Sequence, residues 1–455
     1  MQLLLALPLP ARLTLVFVIA AVVASLLNAA IYQFAWRKRL RSPWQSRADG
    51  AAPRTWLDHL PIVGWWFLRR ESQMHGTGHW IRPMFIEIGF PLGLAWLYWW
   101  ETEACGLFSS QAASALPGGV AVLNLAPLAL ALHLQFLAHA ILIALMVVAT
   151  FIDVDDRIIP DVVTVPGTLV GLALATFAPL IFLPQITQQL AAPIVGHALE
   201  RPGGVPALNP FTNAQIYYEP VHLAASSPWP DILAPAPNVS SLAIAMACYW
   251  LWCFAFVRRR WLPRRGFVRA VQFYCARVCR DWWTFPLREI TLVGTVGVFV
   301  VWWWGGPAWV GLLTALVGLV GSGGTVWLIR IMAGAALRRE AMGFGDVLLM
   351  MMVGTFIGWQ AGVLVFFLAP FAALLFGIVK LMLRREDELP YGPFLCMAVL
   401  FVIIRWDAIW LGVERLFAVA WLVPCVLLVC LVLCGAILAV WLQIKIRLLG
   451  FSAPE

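Results

Sequence analysis

The chain has 455 residues, 62% of them hydrophobic and only 12% charged, with a mean hydropathy of +0.86. That balance excludes a soluble globular domain and reads as a polytopic membrane protein. The formal charge of +8 would suit nucleic acid, but the arginines sit in short clusters between apolar runs, the pattern of cytoplasmic loops, so the expected partner is the lipid bilayer and not nucleic acid.

The first predicted element is a membrane helix over about 14–36. Its apolar run is longer than a signal-peptide core, and its basic cluster (Arg37, Lys38, Arg39, Arg41) follows the run, so it reads as a retained helix with its N-terminus outside. A basic loop runs to Arg82. A second helix over 83–101 leaves the cytoplasm, and a third over 131–152 returns and delivers Asp153 to the cytoplasmic edge. A fourth over 162–184 exits again. Residues 185–240 are polar and carry one arginine, Arg201, which suits an external insert. A fifth helix over 241–256 leads to the Arg-rich stretch 257–283, predicted to lie amphipathically in the interface. Helices over 290–304 and 308–330 turn at an external Gly-Gly-Pro. An eighth begins near Gly345, a ninth ends at RREDE, and two more close the chain near 445–447. The fold expected is an all-α polytopic transmembrane bundle of about eight to eleven helices.

Nine cysteines are scattered without a Cys-x-x-Cys pair, so neither a disulfide framework nor a metal site is indicated. Two stretches carry chemistry. FIDVDDRIIPD (151–161) places Asp153 where an apolar run ends, and a carboxylate there is expensive unless it has work to do. GFGD (343–346) places Asp346 at the start of a later apolar run, with glycines 343 and 345 leaving the backbone uncovered. Alone, the first is an acidic loop that ends a helix and the second an ordinary turn and cap. Charge bias puts both at one membrane face, where two distant carboxylates can meet. Two such groups can share a proton, the ionised one activating water while the protonated one polarises a carbonyl. The same pair would also serve a proton- or cation-coupled transporter, although the two halves show no inverted repeat and the aspartates lie at one edge instead of the midplane.

The ordered set of these stretches resembles the type IV prepilin leader peptidases, membrane aspartyl proteases of the Gly-x-Gly-Asp class. IDVDDRIIPD followed by VVTVPGTLVGL resembles the first catalytic segment and implies that Asp153, not Asp155, Asp156 or Asp161, is catalytic. REAMGFGDVLLMMMVGTFIGWQ resembles the second and implies Asp346, and LPYGPFL (389–395) resembles the segment after the next helix. ASLLNAAIYQ, LDHLPIVGWWFLRR and WIRPMFIEIG are similar to the N-terminal portion of the bifunctional enzymes, which also methylate the new N-terminus. Gly343 and Gly345 are then expected to receive an extended substrate strand, and Pro160 and Asp161 to support the backbone, Asp161 as a helix cap.

The resemblance implies an endopeptidase of the bacterial inner membrane that removes the leader of prepilins or type II secretion pseudopilins, with its active site toward the cytoplasm. Proteolysis would need no cofactor; S-adenosylmethionine would enter only if methyl transfer persists. The bifunctional enzymes bind zinc through two cysteine pairs in the first loop, but between Arg37 and Arg82 this chain has no cysteine, so zinc is not expected, and His75 and His79 read as polar loop residues. Leu348 stands where the family has lysine. A degenerate paralogue that binds pilins without cutting them also fits these losses. The expected organisation is 1–101 for the N-terminal region, 131–184 for the first peptidase segment, 185–305 for an atypical insert, 306–411 for the second peptidase segment and 412–455 for the C-terminal helix.

Overall fold

The computed structural model describes residues 7–36, 42–44, 53–108, 126–190, 205–208, 214–227, 229–233, 236–257, 280, 282, 284–337, 342–382, 390–419 and 421–449. Helices α1 (Leu9–Phe34), α2 (Val63–Leu68), α3 (Ser72–His75), α4 (Ile81–Thr102), α5 (Ala126–Asp156) and α6 (Asp161–Phe177) precede a small sheet. After it come α7 (Val239–Ala255), α8 (Leu287–Trp304), α9 (Gly306–Leu337), α10 (Phe344–Met382), α11 (Gly392–Ile404), α12 (Trp406–Phe417) and α13 (Leu422–Leu449). Five helices of the described residues are long and apolar enough to cross a bilayer, and α11 with α12 forms a sixth candidate bent by 91°. Leu26, Val296 and Leu428 are among many large apolar side chains left exposed on α1, α8 and α13, a surface suited to lipid. The chain is a multi-pass helical membrane protein.

Helix starts follow local chemistry. Pro10 sits in the first turn of α1, where its missing N–H costs nothing. At α7, Asn238 accepts from the Ser241 N–H at 2.6 Å while the Asn238 N–H donates to Ser241 Oγ, a reciprocal cap. The tight core joins α9 and α10, with α6, α7, α11 and α13 packed around them, while α1, α4 and α5 form a neighbouring group.

One expected boundary changes in the structure, and two features are added to the reading. The fourth helix stops at Phe177 instead of 184, because Pro179 opens a short 3-10 turn (Pro179–Ile181) and the chain then enters β1 (Pro184–Leu190). Within the polar insert, β1, β2 (Val205–Leu208) and β3 (Ala214–Pro220) form an antiparallel sheet in the order β1-β3-β2, with Pro184 opposite Pro220 and Val205 opposite Tyr218. The eighth and ninth helices are the two legs of α10, which meet at a break at Gly358, whose φ of 77° and ψ of 175° are open to glycine almost alone. Nearly all of the predicted interfacial stretch, 257–283, lies outside the described residues.

Side chains of the bundle hold the insert against one end of it. Trp359 Nε1 donates to the Leu223 carbonyl at 3.0 Å, Gln360 Nε2 to the His222 carbonyl at 2.9 Å, Gln135 Nε2 to Phe182 at 2.7 Å and Trp406 Nε1 to Pro184 at 2.7 Å. Gln360 lies just beyond the break at Gly358, itself twelve residues after Asp346.

Candidate active site

Asp153 lies in the last turn of α5, not beyond it. Arg157, at φ 57°, ends the helix in the left-handed conformation, its N–H returning to the Asp153 carbonyl at 2.8 Å. The chain then runs through Ile158 and Ile159 to Pro160, the N-cap of α6. Asp346 lies in the first turn of α10. Both carboxylates are nearly covered, Asp153 at 5% exposure and Asp346 at 6%, and both line one cavity of about 390 Å³. They are near enough to act on each other electrostatically. Arg157, Met342, Gly343, Phe344, Pro390 and Tyr391 complete its wall with their neighbours.

Glycine makes the meeting possible at two contacts. A Cβ on Gly345 would stand 2.9 Å from Ile159 Cβ and 3.3 Å from its backbone nitrogen, so the loop after Asp153 rests on the turn before Asp346. A Cβ on Gly392 would stand 2.5 Å from Asp153 Oδ2 and 3.0 Å from Ile159 Cδ1. The Gly392 N–H, at the start of α11, faces Asp153, and the Gly343 N–H faces Asp346. Asp153 Oδ2 itself has no hydrogen-bond partner among the described residues.

The structure thus brings together Asp153, Asp346, Gly343 and Gly345. Pro160 and Asp161 do not line that cavity: Pro160 accepts the Val163 and Thr164 N–H groups at the start of α6, and Asp161 lines a separate cleft with Arg280. Gly345 is taken up by Ile159, which leaves Gly343 as the uncovered glycine of the pair. Leu348, which stands where the resembled family has lysine, is 4% exposed in the hydrophobic core and does not line the cavity.

Two features escape a linear reading. Asp155, two residues from Asp153, points to the other side of α5 and receives a bidentate pair from Arg82 at 2.6 and 2.9 Å. An i, i+2 offset on a helix gives opposite faces, so the divergence was legible, but the partner was not. Tyr391 was noted only as part of LPYGPFL; its place in the wall depends on how α11 meets α5.

The loop between α1 and α4 is held by its own ion pairs. Its buried carboxylates are already engaged: Asp58 by Arg70 at 2.6 Å and Thr55 N–H at 2.7 Å, Glu71 by Arg54 at 3.5 Å. His75 Nε2 faces Glu71, and among the described residues no group of three or more His, Cys, Asp or Glu is arranged to hold a metal. Glu87, buried in α4, accepts from Asn28 Nδ2 at 3.1 Å, Trp65 Nε1 at 2.8 Å and the Ile62 N–H at 2.5 Å, which docks this loop on the helices.

Residues 273–378, which include Asp346 and stop short of Asp153, match the type IV leader peptidase family. The prepilin leader peptidase/N-methyltransferase of Aeromonas salmonicida (strain A449) is 31% identical over 86 residues, 18% of this chain and 28% of that protein. That of Pseudomonas aeruginosa is 30% identical over 101 residues, 22% of this chain and 33% of its own. A longer and weaker match, 26% over 280 residues, covers 57% of this chain and 82% of the Burkholderia pseudomallei (strain K96243) protein of the same name. The chain thus spans less than a third of the Aeromonas relative, and no solved structure matches it. The segment that carries Gly-Phe-Gly-Asp is thus the part of the chain that matches the type IV leader peptidase family.

Proposed function

We propose that this protein is an aspartic endopeptidase that removes the leader of type IV prepilins or type II secretion pseudopilins at the cytoplasmic face of the bacterial inner membrane, with Asp153 and Asp346 as the catalytic pair. The observation that carries the reading is the convergence of two nearly covered carboxylates, from the ends of two apolar helices, on one cavity. The Arg-rich loops support a cytoplasmic setting for that end.

The chemistry follows from two acids and one proton. The ionised carboxylate takes a proton from water, and the water oxygen attacks the scissile carbonyl carbon. The carbonyl π pair moves to its oxygen, which takes the proton held by the other carboxyl. Collapse of the gem-diol breaks the C–N bond, as one of its hydroxyls gives its proton to the ionised carboxylate and the departing nitrogen takes the proton of the protonated one. Peptide and water become acid and amine, and the pair returns to its starting charge. This hydrolysis draws on no cofactor. S-adenosylmethionine would be required only for a separate methyl transfer, which the proposal does not include. Gly343, uncovered beside Asp346, leaves a backbone edge for an extended substrate strand to pair with.

The test is cleavage of a co-expressed prepilin, read by mass spectrometry of the mature N-terminus. Asp153→Asn and Asp346→Asn should each abolish cleavage while expression stays at wild-type level. Cleavage that persists in either variant would refute the pair. Proton-coupled transport lost in both variants, with no cleavage by the wild type, would favour a transporter.

A further inference from the structure

Tyr391 stands at the other side of the same cavity. Its carbonyl accepts the Phe394 and Leu395 N–H groups at 3.0 and 3.3 Å, which fixes its backbone as the cap of α11. Its side chain is half-buried, lines the cavity with Asp153 and Asp346, and interacts electrostatically with Asp346. Among the described residues no hydrogen-bond partner of the phenol is found. A phenol donor at a cavity wall with no partner in the protein is a donor offered to whatever enters. Burial, and after it the negative charge of Asp346, pushes the Tyr391 phenol above its ordinary range, so it remains an O–H at any pH at which the pair can work.

Two carboxyls sharing one proton have a single proton to direct at the substrate carbonyl. As the carbonyl becomes tetrahedral its oxygen gains a lone pair and can accept a second hydrogen bond. The other donor in the wall, Arg157, is exposed and already engaged. We propose that Tyr391 is a further catalytic residue, whose phenol O–H donates a hydrogen bond to the scissile carbonyl oxygen beside the protonated carboxyl. It forms and breaks no covalent bond and transfers no proton. The proposal rests on the peptidase reading above, and it gives the cavity a polar group that neither aspartate supplies.

Tyr391→Phe tests it, since the change removes one oxygen and keeps the ring that packs the wall. Purified full-length enzyme in proteoliposomes would be assayed with a full-length type IV prepilin, kcat and KM determined separately, and melting followed in parallel. The expected result is a fall in kcat of about 100-fold, the ordinary cost of losing one carbonyl-oxygen donor, with KM and melting temperature unchanged. A wild-type kcat in Tyr391→Phe would overturn the proposal, and so would a loss confined to KM or matched by a loss of folded protein. Asp346→Asn in the same assay separates the two levels. If it is dead and Tyr391→Phe is wild-type, only the role of Tyr391 falls; if Asp346→Asn also cleaves normally, the peptidase pair falls with it.

Discussion

Gly392→Ala is the sharpest probe of how the pair is held, because it keeps the backbone N–H that faces Asp153 and adds one methyl. That methyl would stand 2.5 Å from Asp153 Oδ2 and 3.0 Å from Ile159 Cδ1. Ordinary contact begins at 3.4 Å, so the carboxylate oxygen must retreat by about 0.9 Å, the difference of the two distances. Ile159 lies behind the second contact and is itself seated on Gly345, so the displacement falls mainly on Asp153. A misplacement of about 1 Å in a catalytic group costs on the order of 100-fold in rate. Overpacking should cost about 1–3 kcal/mol of stability besides. The assay is leader removal from a co-expressed prepilin, scaled to folded enzyme. Cleavage within about threefold of wild type would show that α11 does not set the position of Asp153, and the account of Gly392 would fail.

Three further outcomes follow from the parts around the site. Arg82→Ala should release α5 from α4 at the Asp155 pair; since the arginine is 32% exposed, the loss should be about 1 kcal/mol in melting experiments, with cleavage retained. Burial pushes the Asp58 carboxyl up, but the bonds from the Thr55 N–H and Arg70 outweigh it and hold the carboxyl below its ordinary value. A carboxyl lowered on folding contributes stability above its unfolded value and loses it as pH falls through the folded one. The loop between α1 and α4 should therefore loosen below about pH 4, read by tryptophan fluorescence, and Asp58→Asn should remove that acid step. Chelation by EDTA should leave both the loop's fluorescence and the rate of cleavage unchanged, because its buried carboxylates are held by arginines.

The parts legible in the sequence are those that depend on local pattern. Apolar runs of membrane length marked the helices, and charge bias put Asp153 and Asp346 on one side before any contact was known. Helix ends were less legible: Asp153 reads as following a helix because the apolar run stops there, yet the backbone continues helically to Asp156 and ends only where Arg157 turns left-handed. The strands of the insert were missed because Gln, Asn and Pro read as loop, while the pairing that makes them strands is between β1 and β3, some 30 residues apart. Tyr391 and Arg82 were hidden for the same reason. Their partners, Asp346 and Asp155, lie far away in the chain, and spacing alone cannot report such a contact. A lysine at 348 would point into the core, so its absence follows from packing as readily as from chemistry.

The break at Gly358 divides α10 into a leg that begins at the active site and a leg that meets the insert. At φ 77° and ψ 175° a residue with a Cβ is strained whatever room it has, and the room here is ample: the nearest atom to an added Cβ is Gln360 Oε1 at 3.5 Å. Gly358→Ala should therefore cost about 1–3 kcal/mol through torsion alone. The strain would be relieved by straightening the break, which would turn Trp359 and Gln360 away from the carbonyls of His222 and Leu223 that they bind. Asp346 lies twelve residues before the break, about 18 Å along the helix, and its own contacts run to Gly343 and the Asp153 segment instead. The expected result is a lower melting temperature and faster proteolysis of the insert, with cleavage per folded enzyme unchanged. A parallel fall in kcat would mean that the two legs move as one, so that the insert at the far end governs the aspartates. A wild-type melting temperature would mean that the break is not held in the glycine-only conformation.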